Sequence, residues 1–269
     1  MKAVVTGAGS GLGRAFCLAI VQRGGSVVAS DIDLAAARET AENCGLNAHA
    51  VRCDVTRFEE VEALAAEADT LLGGVDTIVN NAGVGLAGRI GEASLADWKW
   101  LLDVNLWGVI HGLHAFVPRI RKQGRGSVIN VASAAGLASM PLMAAYNASK
   151  AAVVAISETL YAESVGENLS VTVVCPMFVK TNIAKTSRGG MAWMIELMEK
   201  MMDESRVTAA DVARISLDAC EKGQLYALTH SEGRWLWRLK RLAPQWMTGQ
   251  GKAYAQREAR KRGLDPTPF

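Results

Sequence analysis

A tyrosine and a lysine stand four residues apart, at Tyr146 and Lys150, in a segment whose pattern predicts a helix. Residues with this spacing share one helix face, so both side chains are expected to point the same way. A free tyrosine titrates at about pH 10, and a neighbouring ammonium group lowers that pKa by favouring the phenolate. The pair therefore predicts acid–base chemistry at a substrate oxygen, with Ser133 placed to hydrogen-bond the same atom.

A glycine-rich loop lies close to the amino terminus. It reads Thr6-Gly7-Ala8-Gly9-Ser10-Gly11-Leu12-Gly13, between a predicted strand and a predicted helix. Glycines allow the backbone to approach a bulky anion, and the N–H groups of the new helix point towards that anion. The position of the loop predicts a dinucleotide site, although such loops also occur as plain turns.

An acidic residue, Asp31, ends the second predicted strand, eighteen residues after Gly13. A carboxylate there can accept hydrogen bonds from the adenosine ribose, and it repels a 2′-phosphate. Ser10 stands where a basic residue would bind that phosphate, and Arg14 is the one cation nearby in the sequence. The sequence therefore predicts NAD rather than NADP; the alternative is that Asp31 or Asp33 only caps the next helix.

Short runs rich in Val, Ile and Ala alternate with longer helical patterns through most of the chain. Continuous apolar runs are typical of strands that are buried on both faces. The predicted strands are Ala3–Thr6, Ser26–Ser30, Ala48–Arg52, Thr77–Asn80, Ser127–Ala132, Val171–Cys175 and Leu225–Ala227. The predicted helices are Leu12–Arg23, Leu34–Asn43, Glu59–Leu72, Leu95–Arg119, Ala144–Val165 and Ala209–Glu221. The alternation predicts one α/β domain over residues 1–230, a doubly wound, Rossmann-type parallel sheet of about seven strands with helices on both faces.

Composition excludes several classes of protein. The chain has 269 residues, of which 50% are hydrophobic and 21% charged, as in folded globular proteins. Its five cysteines and four histidines form no metal-ligand spacing, which predicts reduced thiols and no metal site. The first predicted strand follows the initial methionine closely, and no apolar window of about eighteen residues is uninterrupted. We therefore expect a cytoplasmic protein.

The motifs, taken in chain order, resemble those of the classical short-chain dehydrogenase/reductases. They are the T-G-x-x-x-G-x-G loop, Cys53-Asp54-Val55, Asn80-Asn81-Ala82-Gly83, Asn105, Ser133, Tyr146 with Lys150, and Pro176 to Thr181. The likeness covers about residues 1–230. It implies an alcohol dehydrogenase or carbonyl reductase that uses NAD, with Asn105, Ser133, Tyr146 and Lys150 as its catalytic residues.

The resemblance also implies how the cofactor is held. Asp54 and Val55 would border the adenine, and Asn81 to Gly83 would line the dinucleotide and steady the central sheet. Lys150 would bind the nicotinamide ribose, Thr181 the carboxamide, and Asn105 a water that relays protons to the lysine. The predicted cofactor residues are Gly7, Ser10, Gly11, Leu12, Gly13, Asp31, Asp54, Val55, Asn81, Ala82, Gly83, Tyr146, Lys150, Pro176, Val179 and Thr181. Met177 departs from the family's usual glycine and is expected to alter the floor of the pocket.

A methionine-rich segment at about residues 183–205 is predicted to border the substrate. It contains Met191, Trp193, Met194, Met198, Met201 and Met202, with a predicted hinge at Gly189-Gly190. Methionine adapts to irregular apolar shapes, so the segment predicts a lipophilic substrate, a hydrophobic secondary alcohol or its ketone. Because the spacing is also helical, packing in the core explains it equally well.

Residues 231–269 read as a basic, tryptophan-containing extension. Between Arg234 and Gly263 the net charge is +8, which leaves −6 for the rest of the chain and gives it no basic face for nucleic acid. Trp235, Leu239 and Leu242 recur at helical spacing, with Arg234, Arg238 and Arg241 alongside, until Pro244 ends the helix. The pattern predicts either peripheral contact with an anionic membrane through residues 234–262, or packing on the chain's own domain or a partner subunit. Residues 250–269 are expected to be extended or loosely docked.

Three functions are consistent with these patterns. The first is an NAD(H)-dependent oxidoreductase, and the second is a catalytically silent nucleotide-binding regulator, which would lack one of the four catalytic residues. The third is a membrane- or partner-docking protein that acts through its basic tail. The resemblance further implies a homodimer or homotetramer formed through the helices Leu95–Arg119 and Ala144–Val165.

Overall fold

The computed structural model describes residues 1–183, 187–189 and 192–263. The strands are Lys2–Thr6 (β1), Ser26–Asp31 (β2), Ala48–Arg52 (β3), Thr77–Asn80 (β4), Leu86–Ala87 (β5), Gly126–Val131 (β6), Leu169–Val174 (β7), Arg188–Gly189 (β8) and Tyr226–Ala227 (β9). The α-helices are Gly11–Gln22 (α1), Leu34–Cys44 (α2), Phe58–Leu72 (α3), Leu95–Leu102 (α4), Gly108–Gln123 (α5), Ala144–Glu163 (α6), Ala192–Asp203 (α7), Ala209–Glu221 (α8), Ser231–Leu242 (α9) and Pro244–Lys261 (α10).

Seven strands form one parallel sheet in the order β3-β2-β1-β4-β6-β7-β9. The chain starts in the middle, winds out to β3, and returns to place β4 on the other side of β1. A crevice opens at such a reversal, outside the carboxyl ends of the strands. The predicted doubly wound, Rossmann-type sheet is confirmed, with each predicted strand found to within two residues.

The core lies in two layers, one on each face of the sheet. On one face, α3 and α5 bury residues such as Leu64 and Phe116 against β1, β4 and β6. On the other face, α1 and α8 bury Phe16, Ile20 and Leu217. Successive residues of β1 point to opposite layers, which is why this strand reads as an unbroken apolar run.

A chain of buried amides ties α6 to the sheet. Asn80 on β4 donates from Nδ2 to Oδ1 of Asn130 on β6 at 2.9 Å, and Asn130 donates from Nδ2 to Ser157 Oγ on α6, also at 2.9 Å. Gly112 on α5 leaves room for Asn80, because a Cβ there would lie 2.9 Å from Asn80 Cγ. Buried polar groups are most stable when they are hydrogen-bonded, so these two bonds fix how α6 sits on the sheet.

The long helix predicted for Leu95–Arg119 is interrupted. A π-helical turn, Asp103–Trp107, separates α4 from α5 and carries Asn105. Such a turn shifts the helical register by one residue, and the apolar spacing of the segment did not predict it.

The expectation of an extended carboxyl terminus is wrong for residues 250–261, which belong to α10. Pro244 does not merely end a helix; it opens the second one, where its missing N–H costs nothing. Ala255 and Ala259 are buried, so α10 is docked rather than loose. Residues 264–269 lie outside the described ranges. Among the described residues, no helix combines the length and apolar character needed to cross a bilayer.

Candidate active site

A cleft of about 510 Å³ opens where the carboxyl ends of the central strands meet. Every residue predicted to contact the cofactor lies in its wall, and so does Ser133. The wall therefore brings together segments that lie far apart in the sequence, from the glycine loop to Thr181. Asn105 does not line the cleft and lies behind it, fully buried.

The glycine loop has the geometry of an anion site. Ser10 precedes α1 but forms no side-chain cap, so the N–H groups of the first helical turn keep their hydrogen-bonding capacity. Ser10, Gly11, Leu12 and Gly13 all line the cleft, and the first turn carries no acidic residue. A Cβ on Gly13 would lie 2.6 Å from Asn81 Nδ2, so this position accepts only glycine without displacement of its neighbours. The loop thus fits the pyrophosphate of a dinucleotide.

Asp31 and Asp33 have separate tasks. Asp33 is the N-cap of α2, where its carboxylate accepts from the backbone N–H groups of Ala35 and Ala36. Asp31 lines the cleft and accepts from Gly9 N at 2.8 Å and from Asp33 N at 3.0 Å. These bonds hold its carboxylate at the end of β2, where an adenosine ribose would lie.

Arg14 is turned to the other side of the loop. Its guanidinium pairs with Glu39 at 2.7 Å and donates to Gly9 O at 2.7 Å and to Thr40 Oγ1 at 3.0 Å. It is absent from the cleft wall. Asp31 therefore lines the cleft, whereas the Arg14 guanidinium does not.

Asn81 joins the first and fourth strands. Its Nδ2 donates to Thr6 O at 2.8 Å and to Gly7 O at 3.1 Å, while its backbone N–H donates to Thr6 Oγ1 at 3.0 Å. On the connection that follows β3, Asp54 accepts from both Thr56 N and Thr56 Oγ1. Each of these side chains thus shapes the backbone that lines the cleft.

Tyr146 and Lys150 lie on the first turns of α6, both buried and both in the cleft wall. The Lys150 Nζ donates to Val131 O at 2.9 Å and lies 5.8 Å from the centre of the Tyr146 ring. Ser133 opens the turn after β6, where its Oγ accepts from Ala135 N at 3.1 Å. The predicted helical face and the predicted serine therefore meet in one place.

Burial governs both pKa values. It raises the pKa of Tyr146, and a hydrogen bond with Ser133 opposes part of that rise. It lowers the pKa of Lys150 from the ordinary 10.5 to about 8, because an ammonium group is poorly solvated at this depth. Desolvation and the Ser133 hydrogen bond are thus the two influences on the Tyr146 pKa in this structure. The lowering of this pKa by Lys150 stays a prediction.

Asn105 holds a segment of the cleft wall from behind. Its Oδ1 accepts from Val84 N at 2.8 Å, and its Nδ2 donates to Val84 O at 2.9 Å and to Ser149 Oγ at 3.3 Å. A Cβ on Gly83 would lie 3.4 Å from both Asn105 Oδ1 and Lys150 Nζ. The amide thus fixes the backbone beside the lysine.

The part of the cleft wall away from the glycine loop is mainly apolar. Its side chains include Val84, Trp100, Ala138, Met140, Met143, Met177, Ile183, Met198, Met202 and Leu236. Of the methionine-rich segment, Met198 and Met202 project from α7 into this wall. Gly190 and Met191, with the side chains of Trp193 and Met194, lie outside the described residues.

Sequence reasoning missed several cleft residues. Trp100, on α4, stacks under the Arg188 guanidinium at 4.0 Å, and Leu236 reaches the cleft from α9. Neither residue lies in a motif, so only the tertiary structure reveals them. Met177 also lines the cleft, and its backbone N–H donates to His230 Nδ1, just before α9, at 3.3 Å. A Cβ on Gly233 would lie 3.5 Å from Met177 Sδ, so α9 packs closely on it.

This doubly wound sheet, with a glycine loop and a Ser–Tyr–Lys group at one crevice, defines the class of dinucleotide-binding oxidoreductases. A family model described as short chain dehydrogenase matches residues 1–192, and the chain belongs to that family.

Relatives and solved structures agree with this assignment. "Probable oxidoreductase EphD" of Mycobacterium tuberculosis (strain ATCC 25618 / H37Rv) is 39% identical over 187 residues, 68% of this chain; the match spans only 32% of EphD. A short-chain dehydrogenase/reductase from Burkholderia phymatum, solved in complex with NAD, superposes with a TM-score of 0.82 at 32% identity, covering 98% of this chain and 95% of that one. The 3-ketoacyl-(acyl-carrier-protein) reductase of Brucella melitensis, complexed with NADH, superposes with a TM-score of 0.74 at 26% identity. This match covers 84% of this chain and 93% of that one.

The lowered pKa of Lys150 predicts a particular dependence of stability on pH. The unfolded chain binds the Lys150 proton up to about pH 10.5 and the folded chain only up to about pH 8, so the free energy of unfolding rises with pH between these values. Across this pH range, the free energy of unfolding of the wild type should rise by about 2 to 3 kcal/mol more than that of Lys150→Met. Urea unfolding followed by circular dichroism at several pH values measures the difference.

Lys122→Met, on the exposed surface of α5, controls for the loss of a lysine as such. The burial assigned to Lys150 would be contradicted if the difference in unfolding free energy between the wild type and Lys150→Met stayed constant from pH 7 to pH 10.5.

Proposed function

We propose that this chain is an NAD(H)-dependent oxidoreductase that interconverts a hydrophobic secondary alcohol and its ketone, with Tyr146 as the acid–base residue. The observation that carries the proposal is the meeting of Ser133, Tyr146 and Lys150 in one cleft with the glycine loop and Asp31. A silent regulator is less consistent with this site, because Asn105, Ser133, Tyr146 and Lys150 are all present and none is displaced from the site.

The cofactor proposal rests on two features of the cleft. The uncapped first turn of α1 suits a pyrophosphate, and the Asp31 carboxylate suits a ribose with free hydroxyls. The Burkholderia and Brucella structures, which hold NAD and NADH, support the same choice. The other cofactor contacts proposed here are those predicted for Asp54, Val55, Asn81 to Gly83, Pro176, Val179 and Thr181.

In the proposed reaction, a bound nicotinamide dinucleotide supplies the hydride donor or acceptor and, when oxidised, a positive charge. For carbonyl reduction, Tyr146 donates the proton of its Oη to the substrate oxygen, and its raised pKa keeps that proton in place at neutral pH. The ammonium group of Lys150, 5.8 Å from the ring centre, stabilises the phenolate that remains. For alcohol oxidation, Tyr146 must first lose its Oη proton, which the positive charges of Lys150 and an oxidised nicotinamide favour, and the phenolate then accepts the proton of the hydroxyl group.

Two further side chains assist in this proposal. Ser133 Oγ hydrogen-bonds the substrate oxygen and stabilises its developing charge. Asn105 holds the Val84 backbone and, as the family resemblance implies, anchors a water that relays protons to Lys150.

The substrate proposal follows from the apolar wall. Trp100, Met143 and Met198 offer surface to a lipophilic molecule and few hydrogen bonds to a sugar. Methionine side chains adapt to irregular shapes, which suits a bulky or flexible alcohol.

We also propose a homodimer or homotetramer formed through the two long helices. Trp107 in the π-helical turn, Tyr161 on α6 and Val165 just after it are 51%, 43% and 83% exposed. Exposed large apolar side chains on such helices are consistent with a subunit interface.

Replacing Tyr146 with Phe tests the acid–base assignment. The variant lacks the Oη proton, so turnover should fall by about a hundredfold or more, while NADH affinity measured by fluorescence titration stays within about twofold. Tyr161→Phe, on the exposed side of the same helix, is the matched control and should retain full turnover. Retained turnover in Tyr146→Phe would remove this residue from the mechanism.

Asp31 should set the choice between the two cofactors. The wild type should favour NAD⁺ over NADP⁺, and Asp31→Ser should reduce this preference by about tenfold or more, since a charged hydrogen-bond acceptor is lost. Asp33→Ser removes the same charge two residues away and can still cap α2, so its preference should match the wild type. Equal wild-type affinity for both cofactors would contradict this assignment.

A further inference from the structure

Helix α9 carries two apolar stripes on opposite sides. The inner stripe contains Gly233, Leu236 and Trp237; Leu236 lines the cleft, and the Trp237 ring lies 5.1 Å from the ring of Tyr226 on β9. The outer stripe consists of Trp235, Leu239 and Leu242, which recur at helical spacing. At about 100° per residue, the two stripes point in nearly opposite directions.

The outer stripe is exposed. Trp235, Leu239 and Leu242 are 71%, 37% and 84% exposed, and Trp246 at the start of α10 is 55% exposed. A helix that packs only on its own domain needs one apolar stripe, and the inner stripe already serves that purpose. Four large apolar side chains exposed within twelve residues therefore require another explanation.

The charge beside the outer stripe is net positive, because Arg234 and Arg238 are two exposed cations against one exposed carboxylate, that of Glu232. Arg234 and Arg238 are exposed along its edge, with the Arg238 guanidinium 5.9 Å from the centre of the Trp235 ring. Arg241 belongs to the inner side, where it lies 4.5 Å from the Trp237 ring and pairs with Glu158. On α10, Lys252, Arg257 and Arg260 are also exposed. The two helices thus carry an exposed apolar stripe and several exposed cations.

We infer that the outer stripe of α9, with its flanking arginines, docks on an anionic lipid bilayer. Tryptophan is suited to the boundary between headgroups and acyl chains, and arginines beside it pair with anionic headgroups. A helix with this division of charge lies in the plane of the interface. The docking residues are Arg234, Trp235, Arg238, Leu239 and Leu242, and we name them the lipid face.

A second copy of the chain fits this surface less well. A two-fold interface would bring two copies of this net positive face together, which accumulates like charge. Anionic headgroups remove that repulsion instead. This inference goes beyond the proposed enzymatic function and does not depend on it, because no residue of the lipid face lines the cleft.

The test uses the full chain and co-sedimentation with two kinds of vesicle, phosphatidylcholine alone and phosphatidylcholine mixed with phosphatidylglycerol. The wild type should bind the mixed vesicles at low salt, and added salt should weaken the binding. The double variant Trp235→Ser/Leu242→Ser should lose about tenfold or more of its vesicle affinity. Arg234→Gln/Arg238→Gln should lose a similar factor on mixed vesicles.

Leu46→Ser/Ile90→Ser is the matched control, because both side chains are exposed elsewhere on the molecule, by 101% and 81%. It should bind vesicles as the wild type does, and all variants should show the circular dichroism spectrum of the folded chain. Failure of the wild type to bind mixed vesicles would overturn the inference, as would equal binding by the lipid-face variants. Self-association that Trp235→Ser/Leu242→Ser abolishes, seen by sedimentation velocity without vesicle binding, would assign the face to a second copy.

Discussion

The buried ammonium group of Lys150 is the constraint on which the site depends. It sits within the fold with a hydrogen bond to Val131 O, and burial brings its pKa down to about 8. Gly83 lies directly beside it, where a Cβ would be in van der Waals contact with its Nζ at 3.4 Å. The same glycine is held beside Asn105, which binds the backbone of Val84. A charge kept at this depth is a stability cost, and in the proposed mechanism it serves the chemistry of the neighbouring tyrosine.

Local patterns in the sequence predicted much of this architecture. The apolar run of β1, the glycine loop and the four-residue spacing of Tyr146 and Lys150 each reflect a rule of short range. Because the carboxyl ends of parallel strands meet, the order of the motifs also predicted one shared cleft. The π-helical turn around Asn105 followed from no such pattern, since it depends on tertiary packing.

Other features could not be predicted from the sequence, for a different reason. Trp100 and Leu236 reach the cleft from helices α4 and α9, outside any motif, so their places depend on how these helices pack. The direction of the Tyr146 pKa depends on how deeply the ring is buried, which spacing alone does not reveal. Helix α10 was missed because proline was read as a stop, although it equally starts a helix.

The most direct test of the central claim is the reduction of NAD⁺, followed by the near-ultraviolet absorbance of NADH, with a series of secondary alcohols of increasing length. The account predicts activity whose kcat/KM rises about fourfold for each methylene that enters the apolar wall. No activity across the series, in a protein that still binds NADH, would contradict it. So would a preference for the most polar alcohols.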